Sequence, residues 1–305
     1  MEEHAMMPQA IPRVPLVSRE HFIASWEKAG QPVIFTGAVQ AWPAFSKWTF
    51  EWFRAMHGGV EITVRSALYK WGALPGTSEP LGGARRMKLS TYLDEVGASS
   101  SLPLENDLDE VADTTLGKRP EEINHLVGPS LLRAVPSLRE DVRFPDYAPR
   151  WLNRLTESSV WIAPRGTFAQ LHRDRAHNLY AQLSGQKRWQ LYAPHQARRL
   201  QPAPLDWAAD LSGVDLEAGA AKRMTASGLR PDYDFILEPG DLLFLPVNWW
   251  HRVHTVSPSI AFNLWWWDIP SAVRVGPVAA RIALGMKLQE AYSSLHRRSP
   301  ASEQR

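Results

Sequence analysis

The 305-residue sequence contains no cysteine. That absence excludes disulfides, a thiolate nucleophile, and every zinc or iron–sulfur site built on cysteine. A metal on this chain has only His, Asp, Glu and backbone oxygens to hold it. No run of 18 or more apolar residues occurs, so no membrane-spanning helix is expected. The opening residues, MEEHAMMPQAIPRVPL, carry two acids and several prolines but no apolar core of the signal-peptide type. The expectation is a soluble, cytoplasmic protein. Charge of one sign is also missing. Lys+Arg number 34 against 32 Asp+Glu, a net charge of +2, which is not the footprint of a dedicated nucleic-acid binder. No internal repeat is visible. What the chain does have is 44% hydrophobic residues, enough for a sizeable core, and 14 tryptophans, with WWH at 249–251 and WWW at 265–267.

The chain reads as three parts. Residues 1–157 form a mixed α/β portion expected to pack on a barrel. Ser18 is a candidate cap for a helix over roughly 19–29, with Phe22, Ile23 and Trp26 on one face and Gly30 as the stop. PVIFTG (32–37) suits a buried strand. A helix over 49–57, a strand at 60–65, a Gly/Pro-rich loop at 72–87 and a short helix at about 88–96 follow. Residues 97–128 hold few large apolar side chains and the acidic run Glu105, Asp107, Asp109, Glu110 and Asp113. A solvated surface excursion is expected there, with a substrate-recognition lid as the alternative.

Residues 158–268 change in texture. SVWIAP, FAQLHRD, NLYAQL, KRWQLYAP, DFILEPG, DLLFLP, HRVHTV and IAFNLWWW are short strand-like runs punctuated by Gly, Pro, Ser and Asn. Such spacing predicts an all-β barrel or sandwich, interrupted by a polar insertion at 205–230. Residues 269–305 turn helical, with Val275, Val278, Ala279, Ile282 and Met286 at spacings of three and four. An apolar face there, within 275–295, either packs on the barrel or joins two chains as a homodimer.

The candidate chemistry lies in the second part. His172 and Asp174 are two apart on a predicted strand, so period-two alternation puts both on one face. A distant His251 begins another strand. One His-x-Asp and one later His make the ligand set of a 2-His-1-carboxylate facial triad. Two imidazoles and one carboxylate leave net charge near +1 on iron(II) and three open positions, room for a bidentate 2-oxo acid and oxygen. A hydrogen-bonded core histidine is the plain alternative for each His. Competing histidines stand at 177 and 254. Alternation turns both away from the site, since His177 differs in parity from 172 and 174, and His254 is three from His251.

Two segments, GTFAQLHRDRAHNLYAQLSGQKRWQLYAP (166–194) and LEPGDLLFLPVNWWHRVHTVSPSIAFNLWWW (237–267), closely resemble the JmjC oxygenases of the cupin-8 kind. That group includes the asparaginyl hydroxylase acting on hypoxia-inducible factor, other protein-side-chain hydroxylases and a tRNA-modifying hydroxylase. GQPVIFTGAVQAWPAFSKWTFEWF (30–53) is similar too, so the resemblance runs over most of residues 11–268. It implies a mainly β fold with flanking helices: a double-stranded β-helix, or jelly roll, with helical N-terminal additions and a C-terminal helix. It implies iron(II) on His172, Asp174 and His251, 2-oxoglutarate as co-substrate and O2 as oxidant. Lys187, placed after the LSGQ turn and expected on a strand paired with the His-x-Asp strand, matches the lysine that ion-pairs the far carboxylate of 2-oxoglutarate. Its adjacent Arg188 is the better candidate for a solvated cation. Asn178 and Asn263 match family asparagines near metal and co-substrate; satisfying barrel backbone is the equal alternative. Tyr180 shares the parity of Asn178 and is a candidate pocket residue. Trp249 and Trp250 pack beside the site or simply in the core. One departure stands out: many relatives carry Thr or Ser three residues before the first ligand His, and here that residue is Ala169.

The activity implied is a dioxygenase hydroxylating a C–H bond, with a protein or peptide side chain expected as substrate. Alternatives are a hydroxylase of a small metabolite or tRNA base, a non-oxidative zinc or manganese cupin isomerase or lyase, and a non-catalytic binding barrel. The isomerase has no use for Lys187. The acidic run at 105–113 disfavours nucleic acid by repelling phosphates, and the parity of Arg173 and Arg175 points them off the ligand face.

Overall fold

The computed structural model describes residues 8–66, 85–101, 124–126, 128–148, 157–174, 176–200, 212 and 229–266. The acidic run at 105–113, most of the insertion at 205–230, and the apolar positions at 275–295 with the homodimer expected from them lie outside the described residues.

Eight strands build the barrel: β6 (Glu157–Ala163), β7 (Phe168–Arg173), β8 (His177–Ser184), β9 (Lys187–Tyr192), β10 (Tyr233–Leu237), β11 (Leu242–Leu245), β12 (Trp250–Thr255) and β13 (Ser259–Trp266). Before them come β1 (Arg13–Val14), β2 (Val33–Phe35), β3 (Glu61–Ser66), β4 (Arg85–Lys88) and β5 (Asn124–Leu126). The larger sheet runs β1-β2-β11-β8-β13-β6 and the smaller β10-β9-β12-β7, while β4-β3-β5 form a third. Most successive barrel strands switch sheets, as the jelly-roll expectation requires, so short turns carry the chain from one layer to the other. Two of these turns need glycine. Gly185 sits at φ +68°, and a Cβ there would collide with the Pro258 carbonyl oxygen. Gly240, at φ +100°, lies against the Gln40 side chain.

The facing surfaces of the two barrel sheets enclose one apolar cluster, including Tyr180, Leu243, Leu245 and Ala261 from the larger sheet and Trp189, Leu191 and Val253 from the smaller. The other face of the larger sheet, with Leu179, Ala181, Phe244 and Phe262, packs on the N-terminal elements through Phe22, Phe35, Trp48 and Phe53. The fold is mainly β with flanking helices. β2 extends the larger sheet by pairing with β11, Leu242 opposite Phe35.

Those helices form where their caps are. Ser18 accepts from the His21 N–H at 3.2 Å at the start of α1 (Arg19–Phe22). The chain continues as a π-helical turn over Ile23–Glu27, a departure from the uniform helix expected over 19–29, and Gly30 turns it out at φ +63°. After α2 (Pro43–Lys47), Thr49 caps α3 (Phe50–His57) through the Trp52 N–H at 3.0 Å. α4 (Leu89–Ala98) matches the short helix expected near 88–96, and α5 (Gly128–Ala134) packs near β6. The loop expected over 72–87 is wrong at its end. Arg85–Lys88 pairs with Glu61–Val64 as β4. Arg-Arg-Met-Lys lacks the alternation of a strand, and its pairing comes from the partner; three charges suit an exposed edge. No helix among the described residues is long and apolar enough to cross a membrane.

Candidate metal centre

The two histidines meet because β12 and β7 pair with His251 directly opposite His172. Their ring centroids are 4.1 Å apart at 52°. Asp174 follows immediately after β7, and one ligand atom from each of His172, Asp174 and His251 lies within 4.8 Å of the others. The loop bearing Asp174 is tied to the turn before β12: Asn248, at φ 73°, donates its N–H to the Asp174 carbonyl at 3.3 Å. Asparagine tolerates this left-handed conformation better than most residues.

Face assignments follow from register. β12 and β9 match in six consecutive pairs, from Trp250 opposite Tyr192 to Thr255 opposite Lys187, with no shift. His251, Val253 and Thr255 therefore share the inner face with Lys187, Trp189 and Leu191. The β12–β7 ladder does shift, between His251 and Val253, because three steps of β7 span two of β12. This bulge turns Ala169 as well as His172 toward the inner cluster.

His251 Nδ1 is 3.1 Å from the Trp249 carbonyl. A carbonyl only accepts, so Nδ1 carries the hydrogen and Nε2 keeps its lone pair for a metal. Burial, and then His172 beside it, hold His251 well below the usual histidine range against the opposing pull of Asp174 and the carbonyl. The neutral, ligating form is favoured.

Asp174 is held by neighbours. Its Oδ2 accepts from Asn178 Nδ2 at 3.0 Å and from Trp265 Nε1 at 2.9 Å. Asn178 Oδ1 accepts from Asn263 Nδ2 at 3.0 Å, and Asn263 Oδ1 accepts from Trp161 Nε1 at 2.8 Å. An indole can only donate and a carboxylate only accept, so this chain has a single polarity. It commits Oδ2 to second-layer partners and leaves Oδ1 for a metal.

Lys187 is buried at 5% exposure on the same inner face, its Nζ 5.5 Å from the centroid of the Tyr180 ring. Burial alone pushes its ammonium down to about 7, with no carboxylate opposing the shift. Tyr180 packs edge-on against Trp189, which in turn stacks on His251 at 5.7 Å and 23°. The buried Trp189 Nε1 has no hydrogen-bond partner among the described residues.

The structure thus gathers His172, Asp174, His251, Asn178 and Asn263 in one region and sets Lys187 and Tyr180 facing each other across the barrel interior, from the smaller and the larger sheet. His177 is elsewhere, packed against Phe244 and Trp266 and accepting from the Val247 N–H at 3.3 Å. His254 lies on the outer face of the smaller sheet, opposite Arg188. Arg188 pairs with Asp234 at 2.6 Å and Arg173 covers Trp250 there. Trp249 and Trp250 are core residues, the former donating to the Gly30 carbonyl at 2.8 Å. One expectation needs correcting: β9 pairs with β10 and β12, not with the strand of His172. The LSGQ turn changes sheet, which places β12 between Lys187 and β7. Sequence reasoning missed Trp161, Asn248 and Thr255. It places Trp265 on the same strand face as Asn263 by parity, but not its hydrogen bond to Asp174.

Two imidazoles and a carboxylate suit a divalent first-row metal such as iron(II). A buried lysine with no carboxylate partner among the described residues suits a ligand that brings one. The residues present fit both groups.

The chain matches the cupin-like domain family over residues 18–272. It is 26% identical over 261 residues to Jumonji C domain-containing protein 5 of Drosophila melanogaster, covering 84% of this chain and 59% of that protein. It is 26% identical over 265 residues to lysine-specific demethylase 8 of Xenopus tropicalis, covering 84% and 53%. Against the human bifunctional peptidase and (3S)-lysyl hydroxylase JMJD7 it is 27% identical over 269 residues, covering 81% and 80%. The chain spans little more than half the length of the first two.

Proposed function

The chain belongs to the cupin-like domain family, and from that membership we propose that it is an iron(II)- and 2-oxoglutarate-dependent dioxygenase hydroxylating a C–H bond of a protein or peptide side chain. The observation that carries this reading is the convergence of His172, Asp174 and His251 in a barrel whose inner face buries Lys187, with no carboxylate of the described residues acting on its ammonium. These three residues would hold the iron, and iron bound there would supply oxygen activation coupled to oxidative decarboxylation of 2-oxoglutarate to succinate.

The chain's own residues do the positioning. Lys187 binds the far carboxylate, and burial strengthens that ion pair by removing competing water. Tyr180 faces Lys187 from the larger sheet. Asn178 and Trp265 fix Asp174, and the Trp249 carbonyl fixes His251. Trp189 packs its ring against His251. Lys187 also favours this reading over a non-oxidative isomerase, which needs no cation in the barrel. A polypeptide substrate is favoured over a tRNA base or a metabolite because relatives carry the names lysyl hydroxylase and lysine-specific demethylase. The test is succinate formation with a peptide pool, total tRNA and a metabolite mixture offered separately. Stimulation by peptides is expected; stimulation by tRNA alone, lost in salt, overturns the substrate class.

A further inference from the structure

We propose that the Thr255 hydroxyl is a second anchor for the far carboxylate of the co-substrate, donating beside Lys187; this rests on the dioxygenase reading above. The six-pair ladder between β12 and β9 ends with Thr255 directly opposite Lys187. Side chains so paired on one face stand about 4.5–5.5 Å apart at Cβ, so one carboxylate can meet both. The ladder has no shift, and Thr255 therefore faces inward with His251 and Val253. It is buried at 5% exposure, as Lys187 is.

The backbone of Thr255 is fixed from the opposite side, its N–H donating to the Thr167 carbonyl at 2.8 Å. This pins the end of β12 beside the start of β7. The inward position of β7 nearest this pair is Ala169, opposite Val253. A methyl group there offers no donor. The hydroxyl on this part of the wall comes instead from the next strand, one pair further along. A lysine and a hydroxyl together give a carboxylate two donors in different directions, which selects a second carboxylate at the far end of a 2-oxo acid.

The experiment is an anaerobic titration of the iron-loaded full chain, followed by the visible absorbance of the chelated 2-oxo acid. Two probes are compared: 2-oxoglutarate, and 2-oxopentanoate, which chelates alike but lacks the far carboxylate. Thr255→Val should weaken 2-oxoglutarate binding about ten- to a hundredfold and leave 2-oxopentanoate unchanged, while Thr255→Ser retains 2-oxoglutarate affinity. Unchanged 2-oxoglutarate affinity in Thr255→Val overturns the inference and leaves the dioxygenase reading standing. Equal loss of both probes overturns it too, since that marks a packing defect. Failure of the wild-type chain to bind 2-oxoglutarate overturns both.

Discussion

Asn178 donates its amide N–H to Asp174 Oδ2 at 3.0 Å, although the two residues belong to different layers on either side of a turn. The contact makes the amide part of the metal centre without making it a ligand. Removing it with Asn178→Ala should weaken metal binding about 10–100-fold, the usual cost of losing a group that orients a ligand. Trp161→Phe acts through two amides and should produce a smaller loss of the same sign. Calorimetric titration with iron(II) or cobalt(II) checks both. An unchanged affinity in Asn178→Ala would show that Trp265 alone suffices to hold Asp174.

The histidines divide cleanly. His251→Ala and Asp174→Ala should abolish most metal binding, while His254→Ala should leave it intact because that ring lies on the outer face of the smaller sheet. Metal content after purification without chelators measures this. Loss in His254→Ala with retention in His251→Ala would mean that the register of β12 is wrong.

Much of this was legible in the sequence. All eight barrel strands stand where the short apolar runs and turn residues put them, because local alternation and glycine chemistry agree with the final fold. The triad was legible as a candidate from His-x-Asp and a remote His, with parity setting His177 and His254 aside, and the resemblance to the JmjC oxygenases singled it out. The Lys187 pairing was not. Whether a four-residue turn closes a hairpin or crosses between sheets depends on which strand covers the next edge, and LSGQ does not encode that. The bulge in β7 was likewise hidden, since it arises from matching β7 against β12. The amide chain from Trp161 to Asp174 spans 102 sequence positions in one bond and leaves no local signature.

Lys187 predicts a pH dependence with a definite sign. Its pKa is lowered to about 7 in the folded chain, below the ordinary lysine value of 10.5. The unfolded chain therefore holds an extra proton between those limits, and the unliganded fold gains stability as pH rises through that window. Co-substrate binding runs the other way. It needs the ammonium, so affinity should fall about tenfold per pH unit above about 7, until the raised pKa of the complex is reached. Lys187→Met should bind weakly at every pH and show no such slope. A wild-type affinity flat across the neutral range would mean that burial does not lower the Lys187 ammonium, and unchanged affinity in Lys187→Met would remove Lys187 from the anchor.

Ala169→Thr separates the two hydroxyl positions. With Thr255 intact, the added hydroxyl should change 2-oxoglutarate affinity little; in Thr255→Val it should recover much of the loss. Affinities from the four chains of this cycle decide it, and a large gain in the Thr255 background would mean that the wall lacks a hydroxyl donor.

Gly185→Ala tests the crossing turn. A residue with a Cβ meets both the left-handed conformation and the Pro258 carbonyl. The expected destabilisation is about 2–4 kcal/mol, read from the midpoint of urea unfolding. A shift near zero would show that the turn adjusts freely.

The most direct measurement of the central claim is anaerobic addition of 2-oxoglutarate to the iron(II)-loaded chain, observed by visible absorbance. The account predicts a weak charge-transfer band that saturates at one iron per chain, disappears in Asp174→Ala, and needs far more 2-oxoglutarate in Lys187→Met. Iron bound without any band at saturating 2-oxoglutarate, or a band that survives Asp174→Ala unchanged, would contradict it.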